Sequence, residues 1–546
     1  MHRSAIFTRQ SAIGVGTLAI ASVLAFAVVV PPAPERLDTQ GWSDLAARTA
    51  PGAYHIHTAR SDGVGDKRDV ARAAARAGLT FVILTDHGDA TRPPDPPGYL
   101  EGVLCLDAVE ISTDDGHYVA IDMPRAPYPL GGAAEAVVED VARLGGFGIA
   151  AHPDSPKRPL RWTDARLRVD GFEWLNLDSE WRDESRRSLA RAGLAYFVRP
   201  APALATLLDR PATLDRWDRM TAVRRVVGLA GIDAHGGVGS RLEDPNRSLP
   251  GTIGIPGYEA SFRTFSTRVV LERPLSGNAD ADAKAIYGAI RKGSVFTGID
   301  ALAGPGLLDF RADGDTLVAR ATMPRGAEMV LLRNGGEAMR GAGEVRYDSR
   351  GAPGAYRVEV RIPHAPGTPP IPWLVSNPMY LGIAPEAPRA PLALRAPLAP
   401  QTIPPFPWRI EKDPASSGIL RTSGGAVELE YKLAEGERRD QVVALATDTH
   451  GDAFKAVDLT LFADRPSRVW LQVRSAGGER WGKSFYVDEQ GTAVHAALAE
   501  LRPIGDVPPG AVDSAAVTSV LIAIDLTNAA PGRTGRLRIT SSALVK

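Results

Sequence analysis

Residues 52–63 read GAYHIHTARSDG and residues 79–87 read LTFVILTDH. Gly52–His57 has the pattern of a strand, and because side chains alternate along a strand, His55 and His57 share one face. Asp66–Ala77 follows with good helix formers, placing Val70, Ala73, Ala74 and Ala77 on one side, and Gly78 stops it. Leu79–Thr85 is then an apolar run of the kind buried on both faces of a parallel sheet. Strand, helix and strand in that order make a βαβ unit, and the alternation continues down the chain. Val103–Ser112 and Tyr118–Asp122 read as extended, Ala133–Leu144 as helical, and Phe147–Ala151, Gly171–Leu177 and Val226–Ile232 as short strands. Helix-like stretches fall near 184–193 and 213–225. The spacing predicts an α/β unit with parallel strands over residues 36–300.

At 546 residues the chain is too long for one hydrophobic core, so several domains are expected. A hydrophobic fraction of 44% and a charged fraction of 23% exclude a disordered chain and a multi-span membrane protein. With 63 Lys and Arg against 64 Asp and Glu there is no basic footprint, which argues against a nucleic-acid partner. The single cysteine, Cys105, excludes a disulfide framework and any zinc site built from several thiolates. Cys105 lies on an expected buried strand and reads as packing.

Beyond residue 300 short alternating strands take over. Thr316–Ala321, Glu328–Leu332, Tyr356–Arg361 and Trp373–Ser376 fit a small β-sandwich over residues 301–384. Residues 385–407 are proline-rich and read as a semi-rigid linker. Residues 408–546 alternate again, through Val427–Tyr431, Gln441–Ala446, Arg468–Val473, Ser484–Val487, Val517–Asp525 and Arg536–Thr540, as expected of a second sandwich of jelly-roll type. At the other end, residues 1–35 form a targeting segment. Gln10–Pro34 has no charge, Ile13–Val30 is nearly all apolar, and Arg3 and Arg9 precede it. That pattern is expected to anchor the chain in a membrane as one N-terminal apolar helix, with cleavage as a signal peptide the alternative. In either case the rest of the chain is expected to be exported.

The chemistry falls in residues 55–235. His55, His57, His87, His117, His152 and His235 are six of the ten histidines, each beside an expected strand end. Asp62, Asp86, Glu110 and Asp233 share those places. Imidazole with carboxylate suits divalent Zn, Mn or Fe, and parallel α/β barrels gather such groups at the carboxyl ends of their strands. No Gly-x-Ser-x-Gly elbow suggests a serine hydrolase.

His55-Ile-His57-Thr58 with Ser61-Asp62-Gly63, then Leu84-Thr85-Asp86-His87, resembles the polymerase and histidinol phosphatase (PHP) superfamily. The resemblance continues through Glu110-Ile111-Ser112, Gly116-His117, Ala151-His152-Pro153 and Gly231-Ile232-Asp233-Ala234-His235, covering about residues 50–300. Gly116-His117, Glu173-Trp174-Leu175-Asn176 and the trailing β domain are most similar to the carbaryl-hydrolase-type branch. The resemblance implies a distorted (β/α)7 barrel, followed here by two all-β modules, that holds two or three divalent metal ions. It implies that His55, His57, Glu110 and Asp233 hold one ion, that Glu110, His117 and His152 hold a second with Glu110 bridging, and that Asp62, His87 and His235 hold a third. Glu110, His117, His152 and Asp233 would then carry the catalysis.

Clustered divalent ions bring a water's pKa toward neutrality and suit displacement at phosphorus or attack on a carbonyl. The expected activity is therefore phosphoester hydrolysis of a small molecule, with carbamate or carboxylic ester hydrolysis as the rival. A non-enzymic envelope protein that binds glycan and uses the barrel as scaffold is the other class. Asp86 reads either as an orienting partner of a ligand or as a strand-terminal cap. Lys157 and Arg158, with Arg161, read either as holding phosphate oxygens or as a solvated basic loop, and Asn176 either as a substrate contact or as a partner behind the metal ligands. In the last module Arg468-Val-Trp470-Leu-Gln472-Val-Arg474, Trp481 and Ser484-Phe485-Tyr486 place aromatic and polar groups on neighbouring strands. That segment and Ile524–Asn528 resemble a galactose-binding jelly roll, which implies a glycan partner. Asp525 and Asn528 alternatively suit a structural calcium.

Overall fold

The computed structural model describes residues 30–237, 254–384, 407–449, 453–505, 507–508, 510 and 512–546. Eleven strands build the barrel region: β1 (Thr49–Tyr54), β2 (Phe81–Leu84), β3 (Gly98–Leu100), β4 (Val103–Asp107), β5 (Val109–Thr113), β6 (Gly116–Ile121), β7 (Phe147–Ala150), β8 (Gly171–Asn176), β9 (Val227–Gly231), β10 (Ser266–Val270) and β11 (Val295–Gly298). They lie in two sheets. One runs β11-β10-β1-β2-β4-β3 and the other β5-β6-β7-β8-β9. Pairing is parallel for β1 with β2, β2 with β4, β7 with β8 and β8 with β9. It is antiparallel around β6 and β10, so the expected parallel alternation becomes a mixed one. The reversal at β6 follows from a two-residue turn, Asp114-Asp115, which leaves no room for a crossover helix and ends on Gly116 at φ +111°.

Single bridges close the two sheets into a barrel. Ile56 pairs with Ala234 and His87 with Glu110, so the seams lie among the candidate ligands. The run expected as one strand over Val103–Ser112 is two. Ala108 donates its N–H to Leu84, after which β5 leaves the first sheet for the second. Helices coat the outside, among them Lys67–Arg76, whose Asp66 and Asp69 form a reciprocal capping box, and Ala134–Arg143.

Strands from residues 308–381 do not stand apart from the barrel. Leu374–Ser376 pairs with β11, and Gly354–Arg361 and Glu328–Arg333 extend the same sheet. Leu308–Asp313, Thr316–Ala321 and Glu344–Asp348 form a separate three-stranded sheet. Residues 409–545 form a β-sandwich of a six-stranded and a five-stranded sheet, all antiparallel, around Leu429, Leu445, Leu459, Leu471 and Ile522. The sandwich is fastened to the barrel. Arg468, 1% exposed, sends two hydrogen bonds of 2.9 and 2.8 Å to Asp140 on the helix Ala134–Arg143.

The expected N-terminal membrane helix requires correction. Among the described residues no helix is long and apolar enough to cross a membrane. The longest, Ala279–Lys292, has 14 residues and exposes charge on one side, short of the roughly 20 apolar residues a span needs. Residues 30–39, with Pro31, Pro32 and Pro34, are irregular. Residues 1–29, on which the anchor or signal and the exported, membrane-bound location rested, lie outside the described residues, as do 385–406 of the proline-rich linker.

Candidate metal centre

Each ligand candidate is delivered by the end of a buried strand or by a hairpin. His55 and His57 follow β1, His87 follows β2, His152 follows β7, and Asp233 and His235 follow β9. Glu110 and His117 ride on the β5–β6 hairpin, where His117 stands opposite Ser112. His117 is thus at the start of its strand, because β6 runs the other way. Three of these residues occupy the left-handed region that side-chain-bearing residues avoid: His55 at φ 66°, His152 at 27° and Asp233 at 50°. Each such residue costs on the order of 1–3 kcal/mol, strain that persists where surrounding structure over-determines it and that clusters at functional sites.

All nine candidates converge. Glu110 is central and 1% exposed. Its Oε1 lies 2.8 Å from both His117 Nδ1 and His152 Nε2. Its Oε2 lies 3.1 Å from His87 Nδ1, 3.3 Å from His57 Nε2 and 3.4 Å from His55 Nε2. Asp233 Oδ1 sits 3.2 Å from His57 Nε2 and 3.5 Å from His55 Nε2. Asp62 faces the other side of His57 at 3.2 Å, and its Oδ2 lies 3.1 Å from His235 and 3.5 Å from His87. Sets such as His55–His57–Asp233, His55–Glu110–His152, His57–Asp62–His235 and His57–His87–Glu110 bring three donor atoms close enough to hold a metal ion.

The electrostatics fit cations there. Burial disfavours charge on His55, His57, Asp62, Glu110, His152 and Asp233, yet the carboxylates and imidazoles around them override it. Asp233, Glu173 and Glu110 hold His55 well above the ordinary histidine range, and Asp233, Asp62 and Glu110 do the same for His57. Conversely His55, His87, His117 and His152 hold Glu110 well below the carboxylate range. His235, His57 and His87 lower Asp62, and His55, His57 and His235 lower Asp233. Buried carboxylates at this density need compensation by cations or by imidazolium rings. Packing opposes the second choice, since the His57 ring stacks on His235 at 4.5 Å and lies 4.6 Å from His87. Two buried atoms at the centre, His55 Nε2 and Glu110 Oε2, have no hydrogen-bond partner. An imidazole nitrogen and a carboxylate oxygen left without partners and facing each other at 3.4 Å fit divalent Zn, Mn or Fe.

Outer partners orient the ring of ligands. Glu173, in the middle of β8 and fully buried, places Oε1 2.6 Å from His55 Nδ1, while Oε2 accepts the His152 N–H at 2.7 Å. Sequence reasoning quoted Glu173 without giving it a place in the site. Its signal was a lone carboxylate in an otherwise apolar strand. Asn176 donates to Glu173 at 3.0 Å and caps the helix Leu177–Asp183 by accepting from Ser179, so both ends of its amide are engaged inside the protein. Asp86 accepts from the Thr58 N–H, the Thr58 hydroxyl and the Ser61 hydroxyl. It braces the loop after His57 rather than orienting His87. Tyr258 donates its hydroxyl to the His57 carbonyl at 2.7 Å, a partner the sequence did not suggest. Lys157 and Arg158 are exposed on the loop after His152. The structure does not bring them into the cluster.

No family model matches the chain. Among solved structures, a two-domain protein from Bacteroides vulgatus containing a predicted PHP-like metal-dependent phosphoesterase is similar over 64% of this chain and 98% of that one, at 14% identity and a TM-score of 0.29. A family 11 carbohydrate-binding module of Clostridium thermocellum is similar over 25% of this chain and 86% of its own, at 15% identity and a TM-score of 0.21. At those scores neither likeness extends to function. Among curated proteins, the uncharacterized protein MJ1587 of Methanocaldococcus jannaschii is 30% identical over 137 residues, 22% of this chain and 79% of that protein. On that similarity the chain belongs to the same family as the Methanocaldococcus jannaschii protein.

Proposed function

We propose that the chain is a metal-dependent hydrolase of the PHP type that cleaves phosphoesters. The observation that carries this reading is the convergence of five imidazoles on Glu110, with Asp62, Asp233 and His235 beside them and with His55 Nε2 and Glu110 Oε2 buried and without a hydrogen-bond partner. His55, His57, Glu110 and Asp233 would hold one ion, Glu110, His117 and His152 a second, and Asp62, His87 and His235 a third. When bound, such ions supply Lewis acidity that activates water near neutral pH and draws charge from a scissile ester.

The protein's own residues do the rest. Glu173 orients His55 through Nδ1 and leaves Nε2 turned to the centre. Asp62 and His235, partly exposed, form the open side through which substrate and water enter. Lys157 and Arg158 lie on the loop that follows His152, where they would meet phosphate oxygens arriving from solvent. No serine or cysteine nucleophile is required, and Cys105 is buried, with its thiol pushed up to about 11 by desolvation.

The test is metal analysis of the purified chain, followed by phosphomonoesters, phosphodiesters, carboxylic esters and carbamates with added Mn or Zn. Bound metal and phosphoester turnover are expected. Metal with turnover of carboxylic esters or carbamates alone would replace the phosphoester assignment, and neither metal nor turnover would overturn the hydrolase reading.

A further inference from the structure

The near-equal numbers of acids and bases in the chain hide a local excess. A cleft of about 380 Å³ opens where residues 125–129 of the barrel face the sandwich loops before Val442 and before Thr534. The volume lies in the range of small-molecule sites, roughly 300–1,000 Å³. Five of the six charged side chains that line it are arginines, Arg125, Arg438, Arg465, Arg468 and Arg533, and the sixth is Asp89. None of the nine metal-ligand candidates takes part in the lining.

Two of these arginines are already spent inside the protein. Arg468 is buried on Asp140, and Arg465 holds Asp464 at 3.0 Å. Arg125, Arg438 and Arg533 are exposed, and among the described residues none of the three stands in an ion pair. Asp89 is occupied in turn, since its Oδ1 accepts from the Thr91 N–H at 3.0 Å and from the Thr91 hydroxyl at 2.6 Å. Three unpaired guanidinium groups therefore share the cleft with one engaged carboxylate. Arg465 and Arg533 stand close enough together for both charges to act on the Tyr431 hydroxyl. A concave surface lined by one sign of charge focuses field lines and raises the local concentration of counter-ions.

The residue type narrows the ligand. Every cation in the cleft is arginine, whose planar fork pairs with two oxygens at once. A carboxylate offers one pair of oxygens and engages one fork, whereas a tetrahedral phosphate presents oxygens on several sides and engages two or three. Arg125 belongs to the barrel, and Arg438 and Arg533 to separate loops of the sandwich, so the forks reach the cleft from different walls. We propose that this cleft binds a small polyvalent phosphate anion, at a site separate from the metal centre. The bound anion neutralises guanidinium groups on both bodies and so ties the barrel loop to the sandwich. This assignment does not depend on the hydrolase reading.

The test is isothermal titration calorimetry of the full chain with sodium pyrophosphate, after dialysis against a chelator so that phosphate held by metal does not contribute. Sulfate and citrate are titrated in parallel. The wild type is expected to bind pyrophosphate more tightly than either, and more weakly as salt is raised. Arg438→Gln and Arg533→Gln are each expected to weaken pyrophosphate binding about tenfold, the effect of one charge-assisted contact. Arg421→Gln, exposed on the strand Ser417–Ser423 and outside the cleft, removes the same charge and is expected to leave binding unchanged. Thermal unfolding of each variant verifies the fold. The proposal is overturned if pyrophosphate does not bind the wild type, if sulfate or citrate binds as tightly, if both cleft variants bind as well as wild type, or if Arg421→Gln weakens binding as much as they do. Since the titrations are made without metal, none of these outcomes bears on the hydrolase reading.

Discussion

Replacing Glu173 by Gln changes one atom and tests how the centre is built. In the wild type, Oε2 accepts from the His152 N–H at 2.7 Å and from Asn176 at 3.0 Å, and Oε1 lies 2.6 Å from His55 Nδ1. A glutamine must keep its oxygen toward the two donors, so its NH₂ group turns to His55. Nδ1 then has to accept, and the imidazole proton moves to Nε2, the atom that faces Glu110 and Asp233. A protonated Nε2 cannot bind metal. Loss of such outer partners ordinarily costs about 10–100-fold in metal affinity, or roughly 1.4–2.7 kcal/mol. Because the tautomer itself is reversed here, the upper end of that range is expected. The assay is metal content per chain by mass spectrometry after dialysis against a graded chelator, with Glu173→Asp retaining the charge and recovering part of the affinity. If Glu173→Gln keeps the wild-type metal content across the chelator series, His55 does not serve through Nε2 and the assignment of Glu173 fails.

Glu110→Ala is expected to abolish metal loading and hydrolysis together, since both carboxylate oxygens face imidazoles; metal content and turnover measured on the same sample check it. Gly231→Ala would place a methyl group 2.4 Å from Glu173 Oε1, and overpacking of that kind costs about 1–3 kcal/mol, to be read as a lower denaturation midpoint. Arg468→Ala removes two hydrogen bonds from buried Asp140, which keeps those from Arg143 and Tyr128, and is expected to cost about 1–3 kcal/mol, with a sandwich transition separating from the barrel's in calorimetry. Burial raises Glu180 to about 8, with Asp154, Asp209 and Asp183 adding to it against the Asp209 N–H. The folded chain therefore holds a proton that the unfolded chain has already released, and stability falls as pH rises from 4.5 toward 8. Thermal melts of Glu180→Gln should show a shallower decline across that window than the wild type.

The ligand residues were legible because each lies beside or on a short apolar strand and carries a local signature, as in Leu84-Thr85-Asp86-His87. What those signatures do not contain is the partner across the barrel. Glu173 belongs to His55, 118 residues away, and the only trace in sequence is a carboxylate between Phe172 and Trp174. The break at Ala108 is equally silent, because the strand changes sheets only where β2 and β5 meet at the seam. In the sandwich, Arg409–Lys412, Ser417–Ser423, Ala456–Ala463 and Thr492–Ala497 went unread. The first two are edge or near-edge strands with few apolar residues. Ser417–Ser423 did have a readable mark, since Gly424-Gly425, with φ of 56° and 82°, is a two-residue hairpin turn. Docking of the sandwich through Arg468 and Asp140 spans 328 residues and has no local pattern at all.

The seams of the barrel have a bearing on biosynthesis. Ile56 pairs with Ala234 and His87 with Glu110, each bridge falling beside or upon a candidate ligand. A nascent chain emerging from the ribosome therefore has no complete centre until the segment containing Asp233 and His235 has been made and has reached the first strand. Until then the early histidines can offer a cation only a partial, open set of donors. Metal supplied during synthesis would bind tightly only to chains whose barrel has already closed, and would act on that population by mass action. Capture of the ion is thus a record that translation has passed the ninth strand and that the two half-barrels have found each other.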